Sequence, residues 1–210
     1  MSSKEKKEKK ILTILAPPYF GSREIGETIV TENEKAINRT IRTSLYAITD
    51  DFSKQYLLLK FKIVRVTDNI AETVFYGHEY GREYLRSLIR RGTTRIDGIF
   101  DIETKDKYKL RLTITAFLTG RSREWKNKKI RSTMKKIVEE KASNMNLDQF
   151  AQELVLDKVA SDIYNEARKI ASIKHLGVIK SKVLKIPEEA YKQPITKEEM
   201  QKNIEEKRIE

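Results

Sequence analysis

Thr93 to Leu118, read as TTRIDGIFDIETKDKYKLRLTITAFL, is the stretch that decides the fold. In its second half Tyr108, Leu110, Leu112, Ile114, Ala116 and Leu118 alternate with Lys107, Lys109, Arg111, Thr113 and Thr115. A period of two means a strand with one face buried. In the first half Ile96, Gly98, Phe100 and Ile102 share one parity. Only an even register, such as Ile102 opposite Tyr108, puts both apolar sets on one side. That register implies a three-residue loop, Thr104-Lys105-Asp106, and sets Asp101 against Lys109 and Glu103 against Lys107. Opposite charges across a ladder contribute roughly 0.2–1 kcal/mol per pair.

Further strand-like segments precede the pair, at Gly26–Glu34, Arg39–Ile48, Tyr56–Thr67 and Ile70–His78, rich in Ile, Val, Thr, Tyr and Phe and separated by polar turns such as Asp50-Asp51 and Asp68-Asn69. Six short strands at this spacing predict an antiparallel β-barrel of about six strands over 11–120. Between its fourth and fifth strands Tyr84, Leu85, Leu88 and Ile89 recur at helical spacing, which predicts one short helix closed by Gly92 as its C-terminal cap. Its other side carries Arg82, Arg86 and Arg90 at four-residue intervals, continued by Arg91.

Beyond Leu118 the alternation stops, and 121–186 reads as a basic linker, a helical portion and a final strand. Ile130, Met134, Ile137 and Val138 mark one helix. A second opens at Asn146, a good N-cap, with Asp148 in its first turn, and a break at Leu156-Asp157 divides it. Ile173 to Ile186 reads as a basic strand carrying Lys174, Lys180, Lys182 and Lys185. Residues 1–10 are expected to be a flexible basic arm and 187–210 an acidic mobile tail. The fold class is thus α+β.

The 210 residues hold 43 Lys and Arg against 31 Asp and Glu, a net charge of +12, and no Cys. The absence of Cys removes disulfides and thiolate chemistry, and His78 and His175 have neither metal-ligand nor triad spacing. Gly77-His78-Glu79-Tyr80-Gly81 matches no phosphate-binding fingerprint. No cofactor and no metal are expected. A metal-dependent nuclease using Asp50, Asp51, Asp97 or Asp101 has no supporting pattern, so the chain is read as a non-enzyme. No apolar run reaches the roughly 18 residues a membrane-spanning helix requires.

The positive charge is clustered: +3 over 1–10, +4 over 82–95, +6 over 121–141 and +4 over 172–186, with the remainder slightly acidic. Clusters of this kind suit a polyanion. A membrane surface is the competing polyanion, but the basic blocks lack the wide apolar face of an interfacial helix. Nucleic acid is the better match. The candidate RNA-contacting residues are Arg82, Arg86, Arg90 and Arg91 from the short helix, and Arg121, Arg123, Lys126, Lys128, Lys129, Arg131, Lys135 and Lys136 from the linker. Trp125, the sole Trp, sits among the latter. It either stacks on an unpaired base or forms a lid on the barrel.

Several segments together resemble a small-subunit ribosomal protein family of archaea and eukaryotes, called S-three-A-e or S-one-e. They are Ala16-Pro17-Pro18-Tyr19-Phe20, Ile25-Gly26 through Thr28-Ile29-Val30-Thr31, Phe75-Tyr76-Gly77-His78, Tyr108-Lys109-Leu110-Arg111-Leu112 and Lys129-Ile130-Arg131-Ser132-Thr133. Their order covers roughly 11–187. The resemblance implies a β-barrel with an α-helical portion, bound to rRNA on the platform of the small subunit, beside neighbouring ribosomal proteins and near the mRNA exit. It implies a cytoplasmic protein residing in the ribosome. The alternative is a free RNA-binding translation factor or RNA chaperone with a barrel fold, which would use the same cationic surfaces.

Overall fold

The computed structural model describes residues 9–187. The expected arm lies outside the described residues up to residue 8, and the expected tail does so from residue 188. Eight strands run in chain order as β1 (Lys10–Leu15), β2 (Glu24–Val30), β3 (Thr40–Ser44), β4 (Leu57–Thr67), β5 (Ile70–Tyr80), β6 (Arg95–Glu103), β7 (Lys109–Leu118) and β8 (Ile173–Lys185). The helices are α1 (Tyr46–Thr49), α2 (Arg82–Leu88), α3 (Glu124–Asn144), α4 (Leu147–Val155) and α5 (Lys158–Ala167). The α+β class holds. β1 lies ahead of the segments that the sequence marks as strands; Leu12 and Ile14 are buried in it while Ile11 is 56% exposed.

The barrel does not close. The strands form one open mixed sheet, β2-β1-β5-β8-β7-β6, with β4 joined to β5 and β3 to β4. Among the described residues β2, β3 and β6 pair on one side only, and β1 meets β5 in parallel. The physical reason lies at β6. Its inner residues Ile96 and Ile102 face a core shared with Ile130, Met134 and Val138 of α3, Leu154 of α4 and Ile163 of α5. Helices, not a further strand, cover that face. Arg131 Nε donates to the carbonyl of Asp97 at 2.9 Å, satisfying a β6 backbone acceptor with a side chain. A second core gathers Leu57, Leu59, Phe61, Phe75 and Phe117 with Ala151 and Val155 of α4.

Parity in the β6–β7 pair is as predicted, but the register is displaced by two residues. Ile102 stands opposite Leu110, Asp101 opposite Arg111 and Glu103 opposite Lys109. The turn therefore occupies 104–108, with Lys107 at φ +61° and Lys107 N–H donating to Thr104 O at 2.9 Å. Lys105 N–H donates to Met145 O at 3.1 Å, and Asp106 Oδ2 accepts from Leu147 N–H at 3.1 Å. The α3–α4 junction thus holds the turn open, a long-range cause that the hairpin alone does not contain. A shift of two keeps every side chain on its face. The charge pairs survive with new partners, as Asp101–Arg111 at 2.7 Å and Glu103–Lys109 at 3.8 Å.

Three other boundaries differ. β3 ends at Ser44, and Tyr46–Thr49 turn into α1. α2 stops at Leu88 instead of reaching Gly92, which sits in the following loop at φ +79°. Arg90 and Arg91 are therefore loop residues and do not continue the stripe of Arg82 and Arg86. α3 begins at Glu124, so most of the expected basic linker is helix. By contrast, Asn146 is the N-cap of α4, and the chain breaks between α4 and α5 at Asp157, whose φ is +59°.

Candidate nucleic-acid interface

α2 is fixed by aromatic packing: the Tyr84 ring stacks on Tyr56 at 3.9 Å between centroids, and Leu85 and Leu88 pack on the second core. Arg82 and Arg86 remain exposed on its outer side. The chain then crosses Arg90 and Arg91 into Thr94, which joins two blocks that are distant in sequence. Thr94 N–H donates to Gly120 O at 3.1 Å, Leu118 N–H donates to Thr94 O at 2.9 Å, and Ser122 N–H donates to Thr94 Oγ1 at 3.0 Å. The Arg90-Arg91 loop and the Arg121–Arg123 connection are thereby clamped side by side.

Trp125 lies in the first turn of α3 and is 56% exposed, so it is not a buried lid. It lines an open cleft of about 550 Å³ with Leu118, Gly120, Arg121, Arg123, Lys126 and Ser172. Lys126 Nζ lies 5.6 Å from the Trp125 ring centre, within cation–π range. Lys129 and Lys136, four and eleven residues on, share the Trp125 side of the helix. Lys135 and Lys136 sit about 16 Å further along the axis at 1.5 Å per residue, so they extend the basic surface without entering the cleft.

Some of the predicted residues have internal partners. Lys128 pairs with Glu124 at 3.3 Å and Lys135 with Glu139 at 3.7 Å, both exposed contacts one helical turn apart. Arg131 is engaged with Asp97 O, as described above. Arg82, Arg86, Arg90, Arg91, Arg121, Arg123, Lys126, Lys129 and Lys136 form no ion pair within the described residues. Exposed pairs of the first kind contribute at most about 1 kcal/mol. They leave the lysines available to exchange partners.

The sequence reading missed a second basic arrangement. Across the sheet, Arg42 of β3 stands opposite Lys60 of β4, Arg111 of β7 opposite Lys182 of β8, and Lys109 opposite Lys185. Glu79 of β5 accepts from Lys60 at 2.7 Å and pairs with Arg42 at 3.2 Å. Partial burial pushes the Glu79 carboxyl up, but the Lys60 hydrogen bond and the charges of Lys60, Arg42 and Lys180 outweigh it and hold the group below the usual carboxylate range. The lysine spacing in β8 was visible as a signal; the residues it would meet on β7 and β5 were not.

Among the described residues no cluster of three His, Cys, Asp or Glu side chains could hold a metal ion. Asp101 is bound by both Arg111 Nε and Nη2, at 2.7 and 2.8 Å, and Asp97 by Arg95 and Thr115. No helix among the described residues is long and apolar enough to cross a membrane. The site is a built array of cations with one exposed indole.

The model of the ribosomal S3Ae family matches residues 2–187. The chain belongs to the ribosomal S3Ae family. Its S3Ae relatives include a protein of Archaeoglobus fulgidus, 43% identical over 192 residues that cover 90% of this chain and 91% of the relative. A relative from Desulfurococcus amylolyticus is 42% identical over 86% of this chain and 85% of its own length. One from Methanothermobacter thermautotrophicus is 39% identical over 86% of this chain and 93% of its own. Each of the three is named small ribosomal subunit protein eS1. The S3Ae membership agrees with the resemblance read from the sequence, and it belongs to a family of ribosomal proteins, not of enzymes.

Proposed function

We propose that this S3Ae chain is a non-enzymatic structural constituent of the small ribosomal subunit, resident in the cytoplasm as part of the ribosome, and that it binds rRNA on the platform near the mRNA exit. The observation that carries the reading is the clamp at Thr94, which sets Arg90 and Arg91 beside Arg121, Arg123 and Lys126 with no described carboxylate pairing any of them. Holding like charges together is costly unless an anion neutralises them, and a phosphate backbone supplies such anions at regular spacing. In this mechanism phosphates are met by Arg90, Arg91, Arg121, Arg123, Lys126 and Lys129, with Arg82, Arg86, Arg131, Lys128, Lys135 and Lys136 extending the track. Trp125 stacks on an unpaired base in the cleft. Neighbouring ribosomal proteins and mRNA leaving the subunit are the other partners.

The experiment is a protein–RNA crosslinking map on purified small subunits, combined with sucrose-gradient profiles of lysate at high salt. Crosslinks to rRNA at Trp125, Lys126 and Lys129, with the protein stoichiometric in the small-subunit peak, are the expected result. A soluble pool sedimenting apart from the subunit would support the free RNA-binding factor instead. Engagement of about eight phosphates gives a slope of log affinity against log salt near −7, or near −6 on single strands. A slope near zero refutes the electrostatic mechanism.

A further inference from the structure

On the sheet surface turned away from the helices, three cross-strand pairs are cationic on both sides: Arg42 with Lys60, Arg111 with Lys182, and Lys109 with Lys185. Like charges directly opposite on a ladder destabilise a sheet. A single such pair is an accident of register; three on one surface call for an anion. The carboxylates present are too few. Glu79 is already taken by Lys60 and Arg42, Asp101 by Arg111 and Glu103 by Lys109, which leaves Lys180, Lys182 and Lys185 without a carboxylate partner among the described residues. Lys180, which faces Thr113 on one side and Glu79 on the other, adds a further positive charge to the same surface, and Lys180 and Lys182 form no ion pair within the described residues.

The position of this surface follows from strand alternation. Leu110 and Leu112 of β7, with Val183 of β8, point into the core shared with α3, α4 and α5, so Arg111 and Lys182 point the opposite way. Arg42, Lys60, Lys180, Lys182 and Arg111 cross β3, β4, β5, β8 and β7, four steps between strands, or about 19 Å at 4.8 Å each. The clamp at Thr94 lies at the other end of β6 and β7, about 24 Å along the strand from Asp101 at 3.4 Å per residue. One RNA segment lying in the cleft of Trp125 does not reach this row without turning round the sheet edge.

We infer that the outer surface of the sheet, centred on Lys180, Lys182 and Arg111, is a second site for an RNA sugar–phosphate backbone, so that the protein holds two RNA segments, one at the Thr94 end of β6 and β7 and one across the outer surface of the sheet. The inference rests on the ribosomal reading above. The ligand is RNA backbone, recognised by charge and spacing. Arg42 and Lys60 are held together by Glu79 in an internal ion pair at the other end of the row. Lys180 and Lys182, which have no ion-pair partner among the described residues, present the open end of the row, beside Arg111 held by Asp101.

The test uses the full chain and a fluorescein-labelled single-stranded U30 RNA, with anisotropy measured across a salt series for the wild type, K180Q/K182Q, K182E and R121Q/R123Q. For K180Q/K182Q the log–log salt slope is expected to become shallower by about 1.4, since each lost phosphate contact on a single strand removes about 0.7. Lys182→Glu turns the repulsion with Arg111 into attraction, so Tm rises or stays level while U30 affinity falls at least threefold. That opposition of signs separates a binding role from a folding role. A slope unchanged in K180Q/K182Q but shallower in R121Q/R123Q overturns this inference and leaves the first interface standing. A slope unchanged in both pairs overturns the ribosomal RNA reading itself. If K180Q/K182Q binds U30 normally but purified subunits carrying it lose a neighbouring protein, the surface binds an acidic protein and the inference is wrong.

Discussion

His78 is fully buried between β5 and β8, where its Nε2–H donates to Val178 O at 2.8 Å and its Nδ1 accepts from Ser181 Oγ–H at 2.7 Å. Burial drives its pKa down from 6.5 to about 4, against smaller upward pulls from the Val178 hydrogen bond and Glu79. The folded ring therefore stays neutral while the unfolded one takes up a proton below about 6.5. The unfolded state binds more protons through this window, so stability is complete above the unfolded pKa and is lost as pH falls towards the folded one. At about 1.4 kcal/mol per pH unit the full loss is about 3 kcal/mol, of which about 2 kcal/mol is spent between pH 7 and pH 5. Urea unfolding at both pH values, for the wild type and His78→Gln, isolates this contribution, because the carboxylates that titrate in the same range are common to both proteins. The wild type should lose about 2 kcal/mol more than the variant over that interval. Equal losses would show that His78 is not held neutral by burial, and the argument would fail.

Gly77, beside it, has φ +151°, and a Cβ there would lie 2.2 Å from Ser181 O. Gly77→Ala should therefore destabilise the β5–β8 junction by roughly 2–4 kcal/mol in thermal or urea unfolding, from strain and overpacking together, whereas Gly26→Ala, with nothing within 4 Å, should be near neutral. Burial raises the Asp157 carboxyl, with the Tyr80 hydrogen bond and the charges of Lys54 and His175 opposing it. A carboxyl raised in this way costs the folded state stability as pH rises through its pKa, so Asp157→Asn should raise Tm at pH 7 and lose that advantage towards pH 4; Asn also tolerates the left-handed backbone at this position. Trp125→Leu should weaken single-stranded RNA binding about tenfold, consistent with about 1–3 kcal/mol for a stacked base, and RNA should quench the fluorescence of the sole Trp in the wild type. Undiminished affinity together with unquenched emission would exclude stacking.

The α+β class, the faces of β6 and β7, the α4 N-cap at Asn146 and the break at Asp157 were all legible in the chain, because each depends on side chains near one another in sequence. Alternation reports which face is buried, and a capping residue acts within one helical turn. The end of α2 was misplaced because Gly92 offers a C-cap signal, while the helix unwinds four residues earlier to let Thr94 reach Gly120 and Ser122. The register of the hairpin was misplaced by two residues for a similar reason: parity allows any even shift, and the choice was made by Met145 and Leu147 in a distant helical junction.

Charge, too, was read correctly as clusters but not as surfaces. The sequence by itself determined that cations are concentrated in four blocks and that Trp125 stands within the strongest of them. Only the tertiary structure decided which blocks meet. Thr94 brings Arg90 and Arg91 to Arg121 and Arg123, and the insertion of β8 between β5 and β7 lines Lys180 and Lys182 up with Arg111 and Arg42. It also decided that the sheet stays open, with helices in place of the closing strand. The physical reason is that burial and capping act over a few residues, whereas strand order and electrostatic fields couple groups that meet only after the chain has packed.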